Sequence, residues 1–133
     1  MQEQRSSSPG LPGEPAPRVV IAHRSGWFVQ KVTQALGVAA IEVVAWLDNG
    51  ADAVGLTVAE QPDLVLVEDV LAMVPGEQVV REVRSFCPDT VLVGHVSSGD
   101  RVAGMLEAGA ATVLTRQVPP EHVAQQLREL VGL

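Results

Sequence analysis

From Arg18 onward the chain alternates two hydrophobic rhythms. Short runs rich in Val, Ile and Leu are apolar at almost every position, whereas the longer segments between them repeat their apolar residues every three or four positions. The first rhythm predicts strands buried on both faces, and the second predicts amphipathic helices. "RVVIA" (18–22) predicts the first strand. "SGWFVQKVTQALG" (25–37) predicts the helix after it, with Phe28, Val32, Ala35 and Leu36 along one face and Gly37 as the C-terminal cap. "AIEVVAWL" (40–47) predicts a second strand, closed by the turn signal at Asp48–Gly50, and "ADAVGLTVAEQ" (51–61) a weaker helix interrupted by Gly55. "DLVLVE" (63–68), "TVLVGHV" (90–96) and "ATVLT" (111–115) predict three further strands. The intervening helices are "GEQVVREVRSFC" (76–87), stopped by Pro88, then "SGDRVAGMLEAGA" (98–110), and finally "PPEHVAQQLRELV" (119–131), with proline near its start.

Five strand–helix repeats predict an α/β fold, a doubly wound five-stranded parallel sheet with helices on both faces. Ligand chemistry in such a sheet gathers at the carboxyl ends of the strands. The residues expected there are His23 and Arg24 after the first strand, Glu68 and Asp69 after the third, His95 after the fourth, and Thr115 and Arg116 after the fifth. Residues 1–17 are rich in Ser, Pro, Gly and Glu, which predicts a disordered tail ahead of one domain over 18–133.

Composition narrows the function. The chain of 133 residues carries a formal charge of −7 and a single lysine, Lys31, so no nucleic-acid-binding face is expected. One cysteine, Cys87, excludes an internal disulfide and fits a cytoplasmic location. No apolar run approaches the ~18 residues of a membrane span, so no membrane insertion is expected. Charged residues make up 19 % against 47 % apolar, lean in charge for a small domain, which points to a partner covering part of the surface.

The order of elements, "QPDLVLVED" in the third strand and "EAGAATVLTRQVPPEHV" near the end resemble the receiver domain of bacterial two-component response regulators, over residues 18 to about 131. That resemblance implies a flavodoxin-like sheet with strand order 2-1-3-4-5. It also implies an acidic metal-binding pair after the first strand, a phosphate-accepting Asp after the third, a hydroxyl after the fourth and a Lys after the fifth. Here those positions hold His23 and Arg24, Glu68, His95 and Arg116. If the third strand ends one residue later, Asp69 becomes the acceptor; the family's proline four residues on is absent in either register. A guanidinium has no lone pair for Mg²⁺, and Glu68 sets its carboxylate one methylene further out, so the site is expected to be degenerate, without metal or cofactor. Arg24 and Arg116 are expected to satisfy Glu68 and Asp69 in place of the ion and the lysine. The position three before the lysine, aromatic in the family, holds Val113 here.

His23, Glu68 and His95 also form a possible transition-metal set, a weaker reading than local hydrogen bonding. The run Val70, Leu71, Ala72, Met73 and Val74 follows the third strand where the chain should be exposed. Together with Trp27 and Trp46 it forms a candidate partner interface. No nucleophile–base pair and no glycine-rich phosphate loop are evident, so an enzyme or a cofactor binder is disfavoured. The expected function is a phosphorylation-independent protein-binding module or accessory subunit of a larger assembly, with homodimerisation possible. With no output domain in the sequence, its target is expected to be a separate protein. The alternative is a single-domain regulator phosphorylated on Asp69 or Glu68.

Overall fold

The computed structural model describes residues 15–133. Five strands alternate with five α-helices: β1 (Arg18–Ala22), α1 (Gly26–Val38), β2 (Glu42–Leu47), α2 (Gly50–Glu60), β3 (Leu64–Glu68), α3 (Gly76–Phe86), β4 (Val91–Val96), α4 (Val102–Ala108), β5 (Thr112–Thr115) and α5 (Pro120–Leu130). All strand pairs are parallel, in the order β2-β1-β3-β4-β5. The tail expected over 1–17 lies outside the described residues except for 15–17. Of these, Pro17 is tied down by its carbonyl, which accepts a hydrogen bond from the Glu42 N–H at 2.9 Å.

Strand alternation divides the core in two. Val19, Ile21, Leu64, Leu66 and Val93 face α1 and α5, where they meet Phe28, Val32, Leu36, Val123 and Leu127. Val20, Ala22, Val65, Val67, Leu92 and Val96 face α2, α3 and α4, and meet Ala53, Val79, Val83 and Met105. This period of two continues past the strand ends and decides the site: His23, Glu68 and His95 fall on the α1/α5 side, and Asp69 on the other.

Several boundaries differ from the sequence reading. Helix α1 runs through Gly37 to Val38, and the left-handed turn after it is made by Ala40, with φ 61°. The Ile41 N–H then bonds back to the Leu36 carbonyl, so β2 begins only at Glu42. The helix expected over 98–110 splits into a 3-10 turn at Gly99–Arg101 and the short α4. The signal at Asp48–Gly50 is a helix start as well as a turn. Asn49 caps α2, its side-chain oxygen accepting from the Asp52 N–H at 2.8 Å.

The connection after β3 is clamped by backbone contacts. The Gly76 N–H donates to the Asp69 carbonyl at 2.9 Å, and a β-carbon on Gly76 would lie 2.1 Å from the Glu68 carbonyl oxygen. Only glycine lets α3 begin this close to the end of β3. Further along, the Gly50 N–H donates to the Ala72 carbonyl, pinning the loop to the start of α2. No helix among the described residues is long and apolar enough to cross a membrane.

Candidate functional site

Glu68 ends the central strand, and its carboxylate is buried at the carboxyl edge of the sheet. Its Oε1 accepts the Arg24 backbone N–H at 2.7 Å and Arg24 Nε at 3.2 Å. Its Oε2 accepts Arg24 Nη2 at 3.2 Å and Arg116 Nη2 at 3.1 Å. Two guanidiniums from the first and last βα loops thus converge on one carboxylate, and four N–H groups occupy both of its oxygens. The same contact holds the Arg24 guanidinium above its ordinary pKa, chiefly through the hydrogen bond to Glu68.

Beneath Glu68 lies a pair of buried imidazoles. His23 Nδ1 accepts the Ser25 N–H at 3.0 Å, which leaves the proton on Nε2; that nitrogen meets Nδ1 of His95 at 2.9 Å. His95 therefore carries its proton on Nε2, which is buried without a partner. The Phe28 ring stacks on both imidazoles, at centroid distances of 4.4 and 4.5 Å. Burial pushes His23 down from 6.5 to about 4 against the pull of Glu68, and burial also lowers His95. Both rings are neutral near pH 7. The 3.7 Å approach of His23 Nδ1 to Glu68 Oε1 is consequently not an ion pair.

Asp69 points to the opposite side, and neither Arg24 nor Arg116 pairs with it, contrary to the sequence reading. Its Oδ1 accepts the Val70 N–H, and its Oδ2 accepts the Ser97 N–H at 3.2 Å and the Ser97 hydroxyl at 2.9 Å. Arg101 Nε stands 3.8 Å from Oδ2. Asp69 lies at a cleft of about 280 Å³ lined also by Pro75, Glu77, Gln78, Arg81 and Arg101. Ser97 and Arg101 were not singled out from the sequence. The signal available was the pair of serines two and three residues after His95; alternation along β4 does not place Ser97 beside Asp69, because the strand ends at Val96.

Trp27 is 62 % exposed on α1. Trp46, at the end of β2, is partly exposed and donates its indole N–H to the His23 carbonyl at 2.7 Å. The run after β3 is not a continuous exposed patch. Leu71 turns into the core of the α2/α3 side, Val70 and Val74 are half-buried, and Met73 projects into solvent with φ 74°. Leu71 is thereby corrected from a partner contact to a core residue, because the Gly50–Ala72 bond draws the loop inward.

The residues present do not fit a divalent metal. Both oxygens of Glu68 are taken by donors, Arg24 places a cation where a ligand would be needed, and the oxygens of Asp69 accept N–H and O–H groups on the other side. His23 Nδ1 is occupied, and no cluster of three metal-ligating side chains occurs among the described residues.

No protein-family model matches the chain. It is 31 % identical over 125 residues to a protein-glutamate methylesterase/protein-glutamine glutaminase 2 of Pseudomonas fluorescens (strain Pf0-1), covering 87 % of this chain and 33 % of that protein. A similarly named protein of Pseudomonas putida is 30 % identical over the same length. The chain spans about a third of the length of the curated relatives it matches. Among solved structures, the signal receiver domain of the response regulator NarL from Mycobacterium tuberculosis superposes with a TM-score of 0.80 at 26 % identity, covering 90 % of this chain and all of that one. The response regulator domain of Thermotoga maritima CheB shares the fold at a TM-score of 0.74 and 18 % identity. With the 2-1-3-4-5 sheet and the polar residues gathered at its strand ends, these likenesses identify the chain as a response regulator receiver domain.

Proposed function

We propose that this receiver is a phosphorylation-independent protein-binding module, an accessory part of a larger assembly and not itself an enzyme. The observation that carries the reading is the state of Glu68. Its carboxylate already accepts four N–H groups from Arg24 and Arg116, so it is neither free to attack a phosphoryl group nor available to a metal. Phosphoryl transfer depends on positioned cations that stabilise charge developing on the moving group. Here the cations are committed to the carboxylate itself. The neutral His95 occupies the position of the family's hydroxyl, and Val113 that of its mobile aromatic side chain, so the parts of a phosphate-driven switch are replaced.

The alternative, phosphorylation on Asp69, draws support from the cleft beside that residue. Incubating the purified chain with acetyl phosphate and Mg²⁺, followed by intact-mass measurement, separates the two. The expected result is no phosphoryl adduct, with the same protein partner co-purifying in equal amount before and after treatment. An adduct mapping to Asp69 or Glu68, or a partner retained only after treatment, overturns the reading.

A further inference from the structure

We infer that the surface over Glu68 receives an acidic side chain of a protein partner, seated between Arg24 and Arg116. This rests on the adaptor reading above and adds the chemistry of what is bound. The charges are layered: the side chains of Glu68 and Asp69 are each 2 % exposed, whereas those of Arg24, Arg116 and Arg101 are 47, 49 and 50 % exposed. Three cations stand over two anions. The layer that a partner meets is positive, on a chain whose formal charge is −7.

Donor accounting points the same way. A guanidinium carries five N–H groups. Arg24 uses its Nε and one Nη on Glu68, and Arg116 uses one Nη. Among the described residues no other acid lies within ion-pair distance of either arginine. Most of their N–H groups therefore remain for a second oxyanion, in the forked geometry that suits a carboxylate. On the other side Arg101 stands against Asp69, one cation to one anion, with the Asp100 carboxylate next to it in sequence, whereas Arg24 and Arg116 share the single carboxylate of Glu68. The Arg24–Arg116 side therefore carries the surplus positive charge.

The surroundings select a peptide over a small ion. Trp27, Trp46 and Met73 are exposed at the same end of the sheet, and all three offer apolar area that a free anion would leave bare. An Asp or Glu flanked by apolar residues matches both features.

Panning a phage-displayed library of random nonapeptides on the full chain tests this. Selected peptides are expected to carry an acidic residue between aliphatic or aromatic ones. Their affinity should fall at least ~10-fold in the Arg24→Gln, Arg116→Gln double variant, stay unchanged in Arg128→Gln, and weaken with added salt in the wild type. If the double variant melts prematurely, Arg24→Lys, Arg116→Lys keeps the charge, and it should retain binding reduced by loss of the fork. Selection of apolar peptides insensitive to both arginines overturns the inference and leaves the adaptor reading standing. Selection of no peptide at all overturns it as well, and the adaptor reading is then judged by co-purification alone.

Discussion

His23 and His95 share one hydrogen bond of 2.9 Å between Nε2 and Nδ1, and the Ser25 N–H at the far side of His23 fixes which proton lies between them. Neither ring can gain a proton without losing a contact. On His23 the new proton would displace Ser25, and on His95 it would displace His23.

The pair makes stability pH-dependent. The folded His23 value of about 4 lies below the unfolded 6.5, so between those limits the unfolded chain binds protons that the folded chain refuses. Stability therefore rises with pH through this window: it is fully present above about 6.5 and is lost as pH falls toward 4. At ~1.4 kcal/mol per pH unit the His23 share is on the order of 3 kcal/mol. Burial of His95 acts in the same direction. Urea midpoints between about pH 7.5 and 4.5 should fall steeply in the wild type, and much less in the His23→Leu, His95→Leu double variant.

Two glycines should respond in opposite ways to alanine. At Gly76 a β-carbon would meet the Glu68 carbonyl oxygen at 2.1 Å, a collision of backbone with backbone that only displacement of the β3–α3 connection relieves. The expected loss is ~3 kcal/mol or more. At Gly55, inside α2, nothing lies within 4 Å, and alanine should gain ~1 kcal/mol from helix propensity. Thermal melts of the two variants check both signs.

The loop after β3 makes a similar contrast between neighbours. Leu71 is buried against the α2/α3 core, so Leu71→Ala should cost ~2–4 kcal/mol. Met73 is 81 % exposed, and Met73→Asp should stay within ~0.5 kcal/mol. Met73→Gly should be neutral or gain up to ~1 kcal/mol, since glycine accepts φ 74° without strain but loses more freedom on folding. Chemical denaturation of the three variants distinguishes core from surface. Met73→Asp, with its fold intact, is the variant suited to probing partner contact.

The strands and the gathering of His23, Arg24, Glu68, His95 and Arg116 were legible in the sequence because buried parallel strands leave a strong apolar signature, whereas the strand order came only with the resemblance to response regulator receivers. A doubly wound topology then forces the strand ends together. What stayed illegible depends on contacts between distant segments. Phe28 reads as one more core residue of α1, yet its ring covers the imidazoles of His23, just past β1, and of His95 in β4. In the sequence Asp69 is as good a partner for Arg24 as Glu68, but the one-residue step past the strand end turns it to the opposite face and to Ser97. The inward turn of Leu71 follows from a backbone bond between Gly50 and Ala72, which no periodicity encodes.

The charge arrangement around Glu68 predicts that shortening this residue does not by itself create a phosphate acceptor. Glu68→Asp supplies the side chain that the family uses, but it leaves Arg24, whose guanidinium stands against the carboxylate in the wild type, and Arg116. A cation with no lone pair cannot ligate Mg²⁺, and two guanidiniums beside the site raise the cost of bringing a divalent ion there. The variant should therefore remain without a phosphoryl adduct after acetyl phosphate and Mg²⁺. It should also be less stable than wild type by ~1–2 kcal/mol, because a carboxylate drawn back toward the strand loses reach to at least one guanidinium. Adding Arg24→Asp to Glu68→Asp places an oxygen donor where the cation stood. The Trp46 indole, hydrogen-bonded to the carbonyl of His23 next in sequence, would report ion binding there as a fluorescence change on Mg²⁺ titration. A response to Mg²⁺ in the double variant and none in Glu68→Asp locates the block at Arg24. Phosphorylation of Glu68→Asp alone would show instead that the length of the side chain was the barrier, and the electrostatic account of the site would fall.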